Sequence, residues 1–186
     1  VPAALLAALS RLAQAQALVS AGTPGAERST AVLERSLLAG LRDRQLGIGL
    51  NLQALARSAD ALRDRLSSEH AGLLRRLGDD FAAALPAAAG EQPGLPSVAQ
   101  AMPALQQLTL QLAAVTGAQT DRMTRDHGWR LLSVGRLIER LAGMADTLAT
   151  LLDAIDPGAG AVAATELLLE LFDSSITFRA HSQRHE

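Results

Sequence analysis

Hydrophobic residues recur every three to four positions through most of the chain, and clusters of glycine and proline interrupt them. A period near 3.6 residues is typical of amphipathic helices, while glycine and proline clusters mark the turns between them. The pattern predicts an all-α protein, a single-domain bundle of six to seven helices spanning residues 1–186. The predicted helices cover about residues 3–20, 28–42, 50–66, 68–85, 98–115, 120 or 124–153, and 161–179.

Glycine, proline and serine refine the predicted boundaries. Residues 86–97 contain three prolines and two glycines, and both flanks belong to the same predicted bundle, so this stretch is predicted to be an exposed loop. Gly47 and Gly49 predict a short irregular turn before the third helix. Ser67 is the predicted N-cap of the fourth helix. Pro103 falls in the first two turns of the fifth helix, where we expect it to kink or delay that helix.

The amino-acid composition supports the helical prediction and excludes several classes of function. Hydrophobic residues make up 48% of the chain, mostly leucine and alanine, and aromatic residues only 2%. The net charge is −2, which argues against a broad nucleic-acid interface. All 17 basic residues are arginine, so a Schiff-base lysine and a Walker-type phosphate lysine are excluded within this chain. The absence of cysteine excludes thiolate chemistry and disulfides. We expect a cytoplasmic protein, with no run long enough to span a membrane.

The sixth predicted helix has two contrasting faces and contains the only tryptophan of the chain. At about 100° per residue one arc is apolar, and we expect it to face the core. Its members are Met123, Val134, Leu137, Ile138, Leu141, Ala145, Leu148 and Leu152. The opposite arc is polar apart from the tryptophan. Its members are Asp121, Arg122, Arg125, Trp129, Arg136, Glu139 and Arg140.

The polar arc has two interpretations. One is a solvent-exposed charged face, which is common. However, tryptophan is costly in open water, and Gly128, Gly135 and Gly143 lie on the flank of this arc, where each costs about 1 kcal/mol relative to alanine. Three glycines on one side indicate that another backbone approaches closely. We therefore favour a partly buried polar groove, whose arginine forks could bind a carboxylate or a phosphate.

The last predicted helix, residues 161–179, contains carboxylates that could pair with the arginines of this groove. Glu166, Glu170, Asp173 and Thr177 share one face at spacings of four, three and four. They form either a solvated acidic stripe or the partners of the arginines. Within the groove, Glu139 and Asp173 are the candidate catalytic carboxylates, although neither has a histidine at a predictable position beside it.

The histidines do not point to a metal or cofactor. His181 and His185 are four apart, a spacing that suits a metal on a helix, but no carboxylate ligand accompanies them. His127 is expected to pack or cap its helix. His70 falls in the first turn of the fourth helix with no evident partner. We predict no metal site and no cofactor.

Three stretches of the chain resemble one family. They are ALRDRLSSEH at 61–70, RMTRDHGWRLLSVGRLIERL at 122–141 and LLELFDSSITFRA at 168–180. In this order they resemble the alpha-E domain, a bacterial all-helical family named for its Glu-Arg motif, over about residues 40–180. A further Glu-Arg motif near that family's N-terminus and a Pro-containing stretch near its C-terminus are missing here. We therefore expect the chain to be a piece of a longer one, truncated at both ends, with no role assigned to residues 181–186.

The resemblance implies a set of functional residues and a partner. The partner would be a circularly permuted ATP-grasp ligase, fused or encoded nearby and often accompanied by transglutaminase-like proteins, in systems that make or modify peptides. The residues that match the three stretches are Arg63, Asp64, Arg65, Ser67, Arg125, Trp129, Arg136, Glu139, Arg140, Asp173, Ser174, Thr177 and Arg179.

Three hypotheses for the function remain open. The favoured one is a non-catalytic helical module that serves such a ligase and binds a peptide carboxylate, a phosphorylated intermediate or the ligase itself. The second is an enzyme that acts on peptides or amides, with Glu139 or Asp173 as general base and Arg136 or Arg140 stabilising an oxyanion. The third is a structural bundle whose charged residues form internal salt bridges.

Overall fold

The computed structural model describes residues 2–22, 25–85, 94–153, 160–174 and 178. Within these ranges the chain forms seven α-helices and one short 3-10 helix, with no strand, which confirms the all-α prediction. The helices are α1 (Ala3–Ala15), α2 (Thr30–Gly40), α3 (Gly47–Ala61), α4 (Ser68–Ala84), α5 (Val98–Asp121), α6 (His127–Leu152) and α7 (Gly160–Leu171). The 3-10 helix, Arg63–Arg65, joins α3 to α4.

Polar side chains cap four of the helix starts. The Ser67 hydroxyl accepts a hydrogen bond from the backbone N–H of His70 at 3.2 Å, as predicted, and so begins α4. Ser97 and Gln100 form a reciprocal capping box at the start of α5. Ser29 caps α2 and Asp126 caps α6 in the same manner. Each cap satisfies an N–H that the helix itself leaves without a partner.

The main hydrophobic core lies between α3, α4 and α5. Leu77 on α4 is completely buried at its centre. The buried members of this core are Leu52, Ala59, Leu74, Leu77, Phe81, Leu85, Ala104, Leu108 and Val115. They recur at helical spacing on each of the three helices, so one face of each helix is removed from water.

Helix α1 organises two smaller cores. On one side it packs against α7 and the C-terminal end of α6, where Ala8 and Leu151 are completely buried. On the other side it packs with α2 around Leu6, Ala13 and Leu33. Helix α6 therefore takes part in a core only near its C-terminal end.

Several helix boundaries differ from the predictions. Gly47 and Gly49 lie within the first turn of α3 rather than in a turn before it. Gly47 has φ of +43°, and an added Cβ would lie 3.2 Å from the Ala17 carbonyl oxygen, so both the backbone and the close approach favour glycine. Helix α5 begins at Val98, so Pro103 does not delay it. Most of the predicted loop, residues 86–93, lies outside the described residues, and its exposure stays a prediction.

The largest disagreement concerns the apolar arc of α6, which was expected to face the core. That expectation is wrong for the described structure, because its large side chains are exposed to solvent apart from the half-buried Met123. The exposed members of the arc are Val134, Leu137, Ile138, Leu141, Ala145, Leu148 and Leu152. Every residue from 134 to 142 is exposed, since α6 is held only near its two ends.

None of the described helices combines the length and the apolar character that crossing a membrane requires.

Candidate functional site

Two segments that are distant in sequence meet beside the start of α4. The 3-10 helix brings Arg65 to the turn between α5 and α6, where its Nη1 donates a hydrogen bond to Asp126 Oδ2 at 2.9 Å. Both side chains remain substantially exposed, so the pair adds little to stability by itself. The pair matters because it brings together two of the stretches that carry the family resemblance, residues 61–70 and 122–141.

Asp126 also fixes the start of α6. Its Oδ1 accepts a hydrogen bond from the backbone N–H of Trp129 at 3.0 Å. That hydrogen bond and the positive charge of Arg65 hold the pKa of Asp126 below its ordinary value of 3.8. Asp126 is therefore ionised at neutral pH and complements the positive end of the α6 helix dipole.

The tryptophan connects α6 to the last turn of α5. The half-buried indole of Trp129 donates from Nε1 to the backbone carbonyl oxygen of Gln119 at 3.1 Å. The guanidinium of Arg125 lies over the ring, 5.4 Å from its centroid, in a cation–π arrangement. Two turns further along α6, Arg136 Nη1 donates to Gln119 Oε1 at 3.5 Å. Gln119, which no sequence pattern singled out, is buried and bonded by both residues.

A small cavity of about 180 Å³ opens between the start of α4 and the end of α5. His70 lines it and is only 8% exposed, and neither ring nitrogen has a hydrogen-bond partner within the described residues. Arg65 and Arg122 line the same cavity and are largely exposed, so they form its rim. Arg122 Nη1 lies 3.7 Å from Glu69 Oε2.

A buried histidine whose ring has no hydrogen-bond partner among the described residues is an unusual element of this site. Burial lowers the pKa of His70 below its ordinary value of 6.5, because the charged ring loses its hydration. Buried polar groups are nearly always hydrogen-bonded in folded proteins, so an unpartnered ring inside an arginine-rimmed cavity points to a ligand-binding role. The sequence placed His70 near the helix start, but the cavity it shares with Arg122, just after α5, could not be read from it.

The lowered pKa of His70 predicts a pH-dependent stability. Below pH 6.5 the unfolded chain binds a proton that the folded chain resists, so the free energy of unfolding should fall as the pH drops through the histidine range. Urea unfolding between about pH 7 and about pH 5.5 measures this slope. His70→Leu should flatten the slope, because it removes the group whose pKa folding lowers. An equal slope in the chain with His70→Leu would contradict the prediction.

The chain as a whole was compared with known families and proteins. One family model matches residues 3–186, and its description is "A predicted alpha-helical domain with a conserved ER motif". The chain belongs to the Alpha-E family. No curated protein and no solved structure matches the chain.

Glu139 and Arg140, the Glu-Arg pair in the 122–141 stretch of this Alpha-E domain, lie away from the cavity. Both are exposed on the middle of α6, and neither has a polar partner within the described residues. The third matching stretch lies at the other end of the molecule. There Asp173 is exposed and Ser174 is half-buried just after α7, while Thr177 and Arg179 fall outside the described residues.

The structure also corrects the expected groove along α6. None of the ion pairs between described residues joins an α6 arginine to Glu166, Glu170 or Asp173. A Cβ added at Gly135 or Gly143 would meet no described atom within 4 Å, so no second backbone approaches there. The expected pairing of the acidic stripe with the arginines is therefore not found between the residues that the structure describes.

The first matching stretch, residues 61–70, has some residues at the cavity and others exposed to solvent. Arg63 and Asp64 form an exposed ion pair with each other at 3.7 Å. Arg65 and Ser67 line the cavity, Arg65 as part of its rim and Ser67 as the cap of α4. His181 and His185 lie outside the described residues. Within the described ranges no group of three potential metal ligands occurs.

Proposed function

We propose that this Alpha-E domain is a non-catalytic helical module that binds the carboxylate or phosphate group of a peptide substrate for a circularly permuted ATP-grasp ligase. The ligase would be fused to the domain or encoded separately, in the cytoplasm of a bacterium. The observation that carries the proposal is the cavity that Arg65 and Arg122 line together with His70, which is buried and has no hydrogen-bond partner among the described residues.

The chemistry of the cavity suits an anion. The guanidinium groups of Arg65 and Arg122 can each present paired N–H donors to carboxylate or phosphate oxygens. The start of α4 adds the positive end of a 17-residue helix. A bound anion would also favour protonation of His70 and so supply a third donor.

The existing ion pairs do not block such a ligand. Within the described residues Arg65 and Arg122 each contact a carboxylate through Nη1 alone, which leaves their other N–H groups available. Exposed pairs of this kind contribute at most about 1 kcal/mol. Glu69, with an 84% exposed side chain, can move away at little cost. An incoming anion therefore competes with weak contacts.

The arrangement favours binding over catalysis. Glu139 and Asp173, the two candidate general bases, are exposed and do not line the cavity. The titratable groups that do line it are two arginines, Glu69 and His70. These residues can hold and orient an acidic group, while the chemical step would fall to the ligase.

Titration of His70 by NMR tests the binding half of the proposal. Inorganic phosphate and a short peptide with a free C-terminal carboxylate should shift the imidazole signals of His70 and raise its pKa, and the affinity should increase as the pH falls. The amide-capped form of the same peptide should bind less. No change in the His70 signals at millimolar concentrations of either anion would overturn the binding site.

Variants of the two cavity arginines test where the anion binds and whether its binding matters to the ligase. Arg65→Gln and Arg122→Gln should each weaken anion binding by about tenfold or more, the value of a charge-assisted hydrogen bond. Arg75→Gln is the matched control, because Arg75 lies on α4 in an exposed pair with Asp60 at 3.6 Å and does not line this cavity. In an assay with the ligase, the first two variants should raise the apparent KM for peptide. Anion binding without any effect on ligation would reject the ligase role alone.

A further inference from the structure

The middle of α6 exposes an uninterrupted apolar seam. Its residues follow one another at alternating spacings of three and four, and all of them are exposed. The α6 seam consists of Leu131, Val134, Ile138, Leu141, Ala145, Leu148 and Leu152. Spacings of three and four over three heptads define the a and d positions of a coiled coil. No other described helix covers this seam along residues 134–142, where every residue is exposed.

The apolar area that the α6 seam exposes is larger than expected for a surface that binds no partner. Leu131 and Leu141 are 73% and 70% exposed, and Leu137 and Met144 flank the seam with further exposed apolar atoms. Together the large apolar side chains of this face expose on the order of 800 Å², about what each partner of a standard interface buries. Contiguous apolar patches of this size mark interaction sites on soluble proteins.

We propose that two copies of this chain associate through the α6 seam, with the two helices antiparallel. A two-fold axis between Glu139 and Arg140 places Ile138 of one copy against Leu141 of the other. The same axis places Leu131 against Leu148, and each layer occurs twice by symmetry. In this register, apolar residues of one seam therefore meet apolar residues of the other. The seam is complementary to itself, as a two-fold interface requires.

Residue sizes favour the antiparallel arrangement. In this alignment Ala145 meets Val134 of the second copy, whereas a parallel pair would place Ala145 against Ala145 and leave a gap in the seam. On one flank Gly135 faces Ala142 of the second copy, so the backbones can approach closely there. The open space beside Gly135 within one chain is consistent with this use.

The oligomeric state of the 186-residue chain tests the proposal. Sedimentation equilibrium should give a mass of twice 19.4 kDa at micromolar concentrations. Leu141→Asp should return the chain to a monomer with unchanged helical circular dichroism, since Leu141 is exposed within one copy. Leu110→Asp is the matched control, because Leu110 is 72% exposed but lies on α5, and this variant should stay dimeric. A wild-type monomer, or equal dissociation by both variants, would overturn the interface.

Cysteine pairs report the orientation, since the chain contains no cysteine of its own. In the antiparallel register Leu137 of one copy faces Met144 of the other. Mixing chains that carry Leu137→Cys with chains that carry Met144→Cys should therefore give a disulfide-linked heterodimer on mild oxidation. Either variant alone should link poorly, because its two sulfurs would be about seven residues, roughly 10 Å, apart along the axis. Preferential linking within a single variant would reject the antiparallel arrangement.

Discussion

Replacing Leu77 by alanine is expected to lower the free energy of unfolding by about 2–5 kcal/mol. Leu77 is completely buried on α4, at the centre of the core that α3 and α5 complete. The substitution removes buried methyl groups and leaves a cavity that the surrounding helices fill only in part. Urea unfolding followed by circular dichroism measures the loss.

Leu110→Ala is the matched control for this core prediction. Leu110 is 72% exposed on α5, and leucine and alanine are both strong helix formers, so its replacement should change stability by no more than about 0.5 kcal/mol. A similar loss from Leu77→Ala and Leu110→Ala would mean that the α3–α4–α5 core is not the main source of stability.

Local signals explain which parts of the fold could be predicted. Ser67 was predicted to cap α4 because an N-cap needs only a hydroxyl a few residues before the N–H it satisfies. The helices themselves follow from leucine spacing and from helix propensity, both of which act within one segment. The prediction of a turn at Gly47 and Gly49 was wrong, because glycine occurs both in turns and where other backbone atoms approach closely. At these two positions the close approach accounts for the glycine.

The site required contacts that one segment cannot reveal. Arg65 and Asp126 are 61 positions apart, and nothing in either stretch specifies the other as its partner. No sequence pattern was a reason to place His70 in a site. The residue stands out only because its ring is buried near the end of α5 without a hydrogen-bond partner among the described residues. The apolar arc of α6 was predicted to face the core, and the structure shows its large side chains exposed along the middle of the helix. Periodicity shows that such a face needs a covering surface, but not whether that surface belongs to the same chain.

Trp129→Ala is expected to detach the N-terminal half of α6 and to lower the free energy of unfolding by about 2 kcal/mol, since the ring is half-buried. The substitution removes the hydrogen bond to the Gln119 carbonyl, the stacking beneath Arg125 and the apolar area of the indole. Trp129→Phe separates these contributions. It keeps most of the ring and should lose only about 1 kcal/mol with the Nε1 hydrogen bond.

Hydrogen exchange shows where along α6 this loss falls. In chains that also carry Leu141→Asp, so that pairing between copies protects nothing, Trp129→Ala should accelerate amide exchange in the first half of α6. The amide of Leu151, which α1 and α7 hold in their own core, should be unaffected. This difference follows from the bare stretch at residues 134–142, which gives the two ends of the helix separate attachments. Uniform acceleration along the whole of α6 would mean instead that the helix is a single cooperative unit anchored by its tryptophan.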